Sequence, residues 1–324
     1  MTQQIRVENS VYAPQVVSKH ALEVIEERAT TPAAGLRTGI ADVDAILNPH
    51  RAGELRIILG YTSNYKSGLM SYISRYNAKR FADDETDNRV AITVTWEQSI
   101  DEQGVQDVSQ LSAIDITHLM RGELSDTDWK GLRKAAVARG NIPWWLVGHS
   151  IKDKRRRPRL SMTDLAAALE YMVDIQGVEI GLISLDYLQR IKREGGADTR
   201  IQFMDIVDRA KDMALAYNCP VMLGTQAGRQ TKSRQWKLPQ TDDGQETSNL
   251  EQSADSLISL WMPKNDYAPG HIIEYGDKVF TVNDNLLILG VMKQKFGPAP
   301  RIFNLYVKPE INEICMTAKK QFEY

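Results

Sequence analysis

Apolar residues in this chain fall into short continuous runs separated by longer stretches with helical spacing. Leu55–Leu59 (LRIIL), Val90–Thr95 (VAITVT), Trp144–Val147, Ile180–Leu185 (IGLISL), Pro220–Gly224, Ser256–Met262, Leu286–Val291 and Ile302–Val307 are rich in β-branched and aliphatic residues. Runs of this length predict buried strands. Between them, Leu69, Tyr72, Ile73 and Tyr76 recur at spacings of three and four, as do Leu165, Ala168, Leu169 and Met172, and Phe203, Val207, Ala210 and Ala214 mark a further helical face. Ser161 with Asp164 reads as a capping box at the start of the second helix. Asp42–Leu47 suggests a short helix, and residues 101–140 read as helical with turns near Gly122 and Gly140. Strands alternating with helices predict an α/β fold, a mostly parallel sheet with helices on both faces. The last strands are joined by loops too short for crossover helices, which predicts antiparallel strands at the C-terminal edge.

The N-terminus is patterned differently. Residues 1 to about 16 are polar, and Val17, Ala21, Val24, Ile25 and Arg28 outline a short amphipathic helix before the linker TTPAAG at Thr30–Gly35. Residues 1–35 are therefore expected to form an arm and linker helix, and 36–324 the folded domain. A helix so separated either caps the core or docks on a neighbouring subunit.

Composition narrows the classes. With 42% hydrophobic and 25% charged residues the chain can bury an ordinary globular core. A net charge of −2 supplies no global basic field, so nucleic-acid binding must come from local patches. Cys219 and Cys315 have no metal-site spacing and read as reduced thiols. No apolar run has transmembrane length and no signal-peptide pattern opens the chain, so the expected location is cytoplasmic, with no membrane partner.

The densest chemistry follows the first strand. Gly60-Tyr61-Thr62-Ser63-Asn64-Tyr65-Lys66-Ser67 sits between a strand and a helix, the context of a phosphate-binding P-loop. Backbone N–H groups there wrap phosphates, Lys66 reaches the β- and γ-phosphates, and the Ser67 hydroxyl binds Mg²⁺. Tyr65 stands where the pattern asks for glycine, and on the motif alone a polar turn ending in a solvated lysine is the alternative. Three polar residues follow strands at the sheet end where ligands bind: Glu97, Asp186 and Gln226. Asp186 suits a Walker-B-type Mg²⁺ ligand, Glu97 a base for an attacking water, and Gln226 a γ-phosphate sensor. Each alone could be a strand-end residue meeting solvent; together they point to nucleotide hydrolysis with ATP and Mg²⁺.

The stretches LRTGIADVDAIL, HLMRGELSDTDW, GLISLDYLQR, NCPVMLGTQAGRQ, NLEQSADSLI and KQKFGP, with the P-loop strand, run in one order from Leu36 to Pro298. In this the chain resembles the ATPase domain of the DnaB-like replicative helicases, within the RecA-like P-loop group. The resemblance implies a RecA-like core, a homo-oligomeric ring that is usually a hexamer, and ATP bound between subunits. It makes Lys66 and Ser67 the phosphate and Mg²⁺ ligands, Glu97 the catalytic base, Asp186 the Walker B acid and Gln226 the sensor. It assigns Lys293 and Lys295 to the neighbouring subunit's γ-phosphate. The helix near Val17–Arg28 matches the family's linker helix, which docks on the next protomer, and the family's separate N-terminal domain is expected to be absent. Three departures stand out: Tyr65 in the P-loop, Lys295 where arginine is usual, and Gln245-Glu246-Thr247-Ser248 where the family has an Arg-Glu-Ser-Gly-like run lining the DNA channel.

Two basic stretches fall where such rings place central-channel loops. One carries Arg190, Lys192 and Arg193, the other Arg229, Lys232, Arg234 and Trp236. The cations would follow phosphates and Trp236 would stack on a base; the alternative is a solvated charged face. Lys152–Arg159 (KDKRRRPR) is denser still and reads equally as a patch that binds nucleic acid or an acidic partner surface, or as a solvated run. The sequence thus predicts an ATP-dependent, ring-forming single-stranded DNA translocase or helicase of DNA replication, served by a protein loader or a replication or mobile-element partner. The alternative is a nucleotide-dependent assembly or recruitment protein with weak ATPase and little unwinding.

Overall fold

The computed structural model describes residues 11–30, 35–154, 159–194, 198–228, 234–244 and 250–315. Nine strands form one sheet: β1 (Leu55–Gly60), β2 (Arg89–Thr95), β3 (Trp144–Val147), β4 (Glu179–Asp186), β5 (Val221–Gln226), β6 (Ser256–Trp261), β9 (Leu286–Gln294), β10 (Arg301–Lys308) and β11 (Glu313–Cys315), in the order β11-β10-β9-β6-β1-β5-β4-β2-β3. The six strands from β6 to β3 pair in parallel; β9, β10 and β11 add antiparallel strands at one edge. This is the expected architecture. β7 (Ile272–Tyr275) and β8 (Lys278–Thr281) form a separate antiparallel ribbon that the sequence pattern did not show, with Gly276 and Asp277 at its turn.

Each parallel strand alternates its side chains between two apolar layers, so helices cover both faces. On one face Leu55, Ile57 and Leu59 pack with Leu165 and Leu169 of α7 (Met162–Asp174) and with Phe203, Val207 and Ala210 of α8 (Thr199–Ala216). On the other, Ile58, Leu182 and Met222 pack with Leu69, Met70 and Ile73 of α3 (Lys66–Ala82) and with Val43 of α2 (Ala41–Asp44). The capping box of α7 is present: Ser161 Oγ accepts from the Asp164 N–H while Asp164 accepts from the Ser161 N–H.

The stretch 101–140 breaks into three helices, α4 (Ile100–Ser112), α5 (Ile116–Arg121) and α6 (Asp126–Gly140). The unexpected break is at Ala113, which closes α4 in a left-handed conformation with φ 56°. The N-terminal helix α1 runs Pro14–Thr30, longer than expected, and buries none of its residues among the described part of the chain; Val17, Leu22 and Ile25 are exposed. It therefore does not cap the core. A short helix, α9 (Leu250–Ser253), precedes β6.

Candidate nucleotide site

β1 ends at Gly60 and the chain turns through the P-loop into α3. Two residues in that turn, Ser63 (φ 61°) and Tyr65 (φ 65°), adopt the left-handed conformation. Tyr65 thus keeps the backbone shape that glycine gives at this position, at a cost of roughly 1–2 kcal/mol. Its ring lies over Gly68, where even a Cβ would fall 2.7 Å from the ring, and its hydroxyl donates to Asn312 Oδ1 at 2.8 Å. Burial pushes the Tyr65 phenol up, out of the range in which it ionises. Asn64 pins the loop from the other side, accepting from the Met262 N–H at 2.6 Å.

Parallel pairing aligns the strand ends. Gly60 lies opposite Gln226 and Thr95 opposite Asp186, so the ends of β1, β5, β4 and β2 meet in one row. Lys66 Nζ donates to the Tyr61 carbonyl at 2.8 Å inside the loop it follows. Burial lowers its pKa to about 8, opposed by the charges of Asp186 and Glu97. Asp186 is 7% exposed and burial raises its pKa, while a hydrogen bond from Ser67 and the charge of Lys66 favour its ionised form. Asp186 Oδ1 is buried and finds no hydrogen-bond partner among the described residues. An orphaned carboxylate oxygen beside a serine hydroxyl is the donor set a hard cation such as Mg²⁺ takes. Gln226 Nε2 donates to Thr62 Oγ1 at 2.7 Å, and its backbone N–H donates to Gln189 Oε1. Glu97 is half exposed and pairs with Arg190, 3.6 Å away.

Lys293 and Lys295 lie elsewhere. Lys293 faces Leu257 near the start of β6, and Lys293 Nζ donates to the Ala254 carbonyl. Lys295 Nζ is 3.7 Å from Asp255, which also receives Lys211 Nζ and the Leu55 N–H. This is the beginning of β1, five extended residues or roughly 17 Å from the P-loop. The structure does not bring these two lysines to the P-loop of their own subunit.

The basic loops divide. Arg193 donates to Thr199 Oγ1 and lies over the Phe203 ring, and the Lys192 N–H donates to the Leu160 carbonyl. Arg229 and Lys232 lie outside the described residues, as do residues 155–158 of the Lys152–Arg159 run and 245–249. Two side chains of the second stretch have partners within the chain. Arg234 is held by the buried Asp243 through two hydrogen bonds, at 2.8 and 3.1 Å. Trp236 is stacked on Tyr275 at 4.2 Å between centroids and contacts Trp261 and Phe280. It packs the β7–β8 ribbon onto the core, because an apolar ring gains more there than in water, and remains partly exposed.

Beside the P-loop opens a cleft of about 250 Å³ between the start of α3, α4 and the turn joining β10 to β11. Tyr65, Gly68, Gln98, Gln106, Glu310 and Asn312 are among the residues that line it. Asn312 carried no signal in the sequence, since a single polar residue in a turn resembles any other; Thr62 and Gln189 lie in stretches that the sequence singled out, but their contacts with Gln226 did not show there. Among the described residues there is no cluster of three or more His, Cys, Asp or Glu side chains that could hold a metal, and no helix long and apolar enough to cross a membrane.

Residues 35–312 match the family model of the DnaB-like helicase C terminal domain. The replicative DNA helicase DnaB of Nostoc sp. PCC 7120 is 27% identical over 262 residues, covering 80% of this chain and 28% of the relative. That of Synechocystis sp. PCC 6803 is 27% identical over 284 residues, 87% of this chain and 30% of the relative. That of Rickettsia typhi is 24% identical over 301 residues, 89% and 58%. The chain therefore spans less than two thirds of these relatives' length. Among solved structures, an isolated ATPase domain superposes with a TM-score of 0.76 at 18% identity, covering 93% of this chain and 98% of that one. A DnaB-like replicative helicase studied with primase superposes with a TM-score of 0.73 at 18% identity, covering 92% and 66%. The match over most of the chain, on a RecA-like sheet with its P-loop at the strand ends, places this protein in the family of DnaB-like helicase C-terminal domains.

Proposed function

We propose that this protein is an ATP-driven motor that assembles as a ring, expected to be hexameric, and moves along single-stranded DNA. One observation carries the reading. Lys66, Ser67, Asp186, Glu97 and Gln226 gather at one end of the sheet, while Lys295, 59% exposed, stands at the other. On this reading one subunit offers two half-sites, each completed by a neighbour.

The residues divide the work. Lys66 sets positive charge against the β- and γ-phosphates of ATP. Ser67 and Asp186 would hold Mg²⁺, which when bound neutralises charge on the phosphate oxygens. Glu97 takes the proton of the attacking water, and Gln226, held on Thr62, senses the γ-phosphate. Lys295, and Lys293 beside it, add charge from the adjoining subunit. The nucleoside leaves the phosphates past Gly68 into the neighbouring cleft. The exposed helix α1 offers Val17, Leu22 and Ile25 to a second copy, as a linker helix would. Arg190, Lys192, Arg193, Arg229 and Lys232 remain as cations for the DNA path. A cytoplasmic location and a loader or other replication partner accompany this reading.

The test combines mass measurement with turnover. With Mg²⁺ and ATP the protein should form a closed oligomer whose hydrolysis rises when single-stranded DNA is added. A strict monomer that does not hydrolyse ATP overturns the reading. The internal ties of Arg234 and Trp236 favour a second reading, a nucleotide-dependent assembly protein. That reading predicts ATP-dependent oligomers with turnover indifferent to DNA and no strand separation.

A further inference from the structure

Asn312 is 8% exposed, and its side chain lines the cleft beside the P-loop. Its two amide atoms are treated differently. Oδ1 accepts the Tyr65 hydroxyl at 2.8 Å, whereas Nδ2 is buried and finds no hydrogen-bond partner among the described residues. A buried amide N–H left unpaired keeps the full cost of its lost hydration, which a ligand acceptor would recover. The backbone around it is fixed as well: Asn312 is left-handed (φ 47°), and its carbonyl accepts from the buried Arg75. Arg75 in turn lies 4.0 Å from Asp107, and Asp107 accepts from Arg139 at 2.7 Å. The amide therefore has little freedom to turn elsewhere.

We propose that Asn312 is a base-reading residue of this cleft and that Tyr65 is its positioning residue. The Tyr65 hydroxyl, by donating to Oδ1, fixes the amide so that Nδ2 donates to a ring-nitrogen acceptor of a purine nucleotide. The apolar faces of Tyr65, Ile116 and Pro309 suit a flat heterocycle, and the gap lies beside Ser67 and Gly68. Glu97 and Gln226 serve the γ-phosphate; this cleft serves the nucleoside. Tyr65 then has a use at the glycine position of the loop. Glycine there would keep the backbone but leave the amide unfixed.

This inference rests on the nucleotide-site reading, and its test separates the two. Affinities for ATP and for inorganic tripolyphosphate are measured by calorimetry or competition on the full chain. Tripolyphosphate can engage the P-loop but has no base. Asn312→Ala should weaken ATP by roughly fivefold to tenfold and leave tripolyphosphate unchanged. Asn312→Asp, which replaces the donor with an acceptor, should weaken ATP further. Tyr65→Phe keeps the ring and removes only the hydroxyl; it should weaken ATP by a few fold, again without touching tripolyphosphate. If Asn312→Ala and Tyr65→Phe both leave the ATP-to-tripolyphosphate ratio at its wild-type value, the proposal is wrong. A merely structural role for the Tyr65 hydroxyl would lower both affinities together or neither, which also overturns it. Lys66→Ala should weaken both probes; if it weakens neither, the nucleotide-site reading itself has failed.

Discussion

Arg190 and Glu97 form an ion pair across the ends of β4 and β2, Nη2 to Oε1 at 3.6 Å, with each side chain 49% exposed. One partner belongs to the candidate hydrolytic set and the other to the candidate DNA path. A pair this exposed is worth at most about 1 kcal/mol, little enough for a DNA phosphate to compete for the arginine. Drawing Arg190 away leaves the Glu97 carboxylate open to a water. Arg190→Ala should therefore raise turnover in the absence of DNA, by up to about fivefold, and shrink the stimulation that DNA gives. Steady-state hydrolysis with and without single-stranded DNA measures both. A variant with wild-type basal rate and wild-type stimulation would show the pair to be incidental.

The anchoring of Arg234 changes what the second basic loop can contribute to DNA binding. Arg229→Ala with Lys232→Ala removes two candidate phosphate contacts, and the slope of log affinity against log salt should flatten by roughly 1.4, at about 0.7 per contact on a single strand. Arg234→Ala should leave the slope alone and lower thermal stability instead, because it strands the buried Asp243. Fluorescence anisotropy across a salt series distinguishes them. An equal slope change from Arg234→Ala would mean that its pairing with Asp243 yields to DNA.

Why some of this was legible in the sequence and some was not follows from the physics of each element. Strands buried on both faces must be continuous apolar runs, so β1, β2, β4, β5, β6 and β9 stood out, and the row of Lys66, Asp186 and Gln226 followed from their ends. The break between α4 and α5 did not, because Ala113 has high helix propensity and nothing in its identity marks the left-handed conformation with which it closes α4. A signal was available: Ser99 with Glu102 and Ser125 with Asp128 are capping boxes as plain as Ser161 with Asp164, and they mark the starts of α4 and α6. The packing of Trp236 did not show because a tryptophan among arginines reads the same whether it faces a base or anchors a ribbon. The β7–β8 ribbon that it anchors has only four residues per strand. Asn312 was invisible for a different reason: its importance comes from Tyr65, 247 positions away.

Lys66 sets a pH dependence on nucleotide binding. Burial brings its folded pKa down to about 8 from an ordinary 10.5. Below pH 8 the free protein already carries the ammonium, so affinity for ATP should be flat with respect to this group. Above pH 8 the free protein loses that proton, while phosphate charge favours the ammonium in the complex, so binding must take a proton up. Affinity should then fall by about tenfold per pH unit until the pKa of the complex is reached. The sign for stability is opposite: the unfolded chain keeps its proton to higher pH, so the free fold gains stability between pH 8 and 10.5 from this group. Lys66→Arg stays charged throughout and should flatten the affinity profile. A wild-type profile that is level from pH 7 to 10 would contradict the buried position of Lys66.

Replacing Tyr65 with glycine sets two effects against each other. The left-handed backbone is relieved of roughly 1–2 kcal/mol. Loss of a ring packed over Gly68 costs about 3 kcal/mol, the low end for a large aromatic because Tyr65 is only partly buried. The variant should unfold more easily by about 1–2 kcal/mol in denaturant, and its KM for ATP should rise. A more stable Tyr65→Gly with unchanged KM would mean that strain outweighs packing at this position.

Lys295 stands at the opposite end of β1 from the P-loop and its side chain is 59% exposed. If its ammonium meets the phosphates of a neighbouring subunit, activity depends on an interface and not on any one chain. Lys295→Ala alone should lose most turnover, since a cation supplied in trans can contribute about 10³ in rate. Lys66→Ala alone should lose it as well. Mixed in equal amounts and reassembled, the two variants should recover activity, because some interfaces pair an intact Lys66 with an intact Lys295. With random assembly that is about one interface in four, so turnover should return to about a quarter of wild type. Lys295→Arg should at least match wild type and exceed it if the planar guanidinium grips the phosphate oxygens better. Recovery depends on the two residues lying on different chains at a shared site. A mixture as inactive as its components, in oligomers shown to exchange subunits, would place Lys295 outside the hydrolytic site altogether.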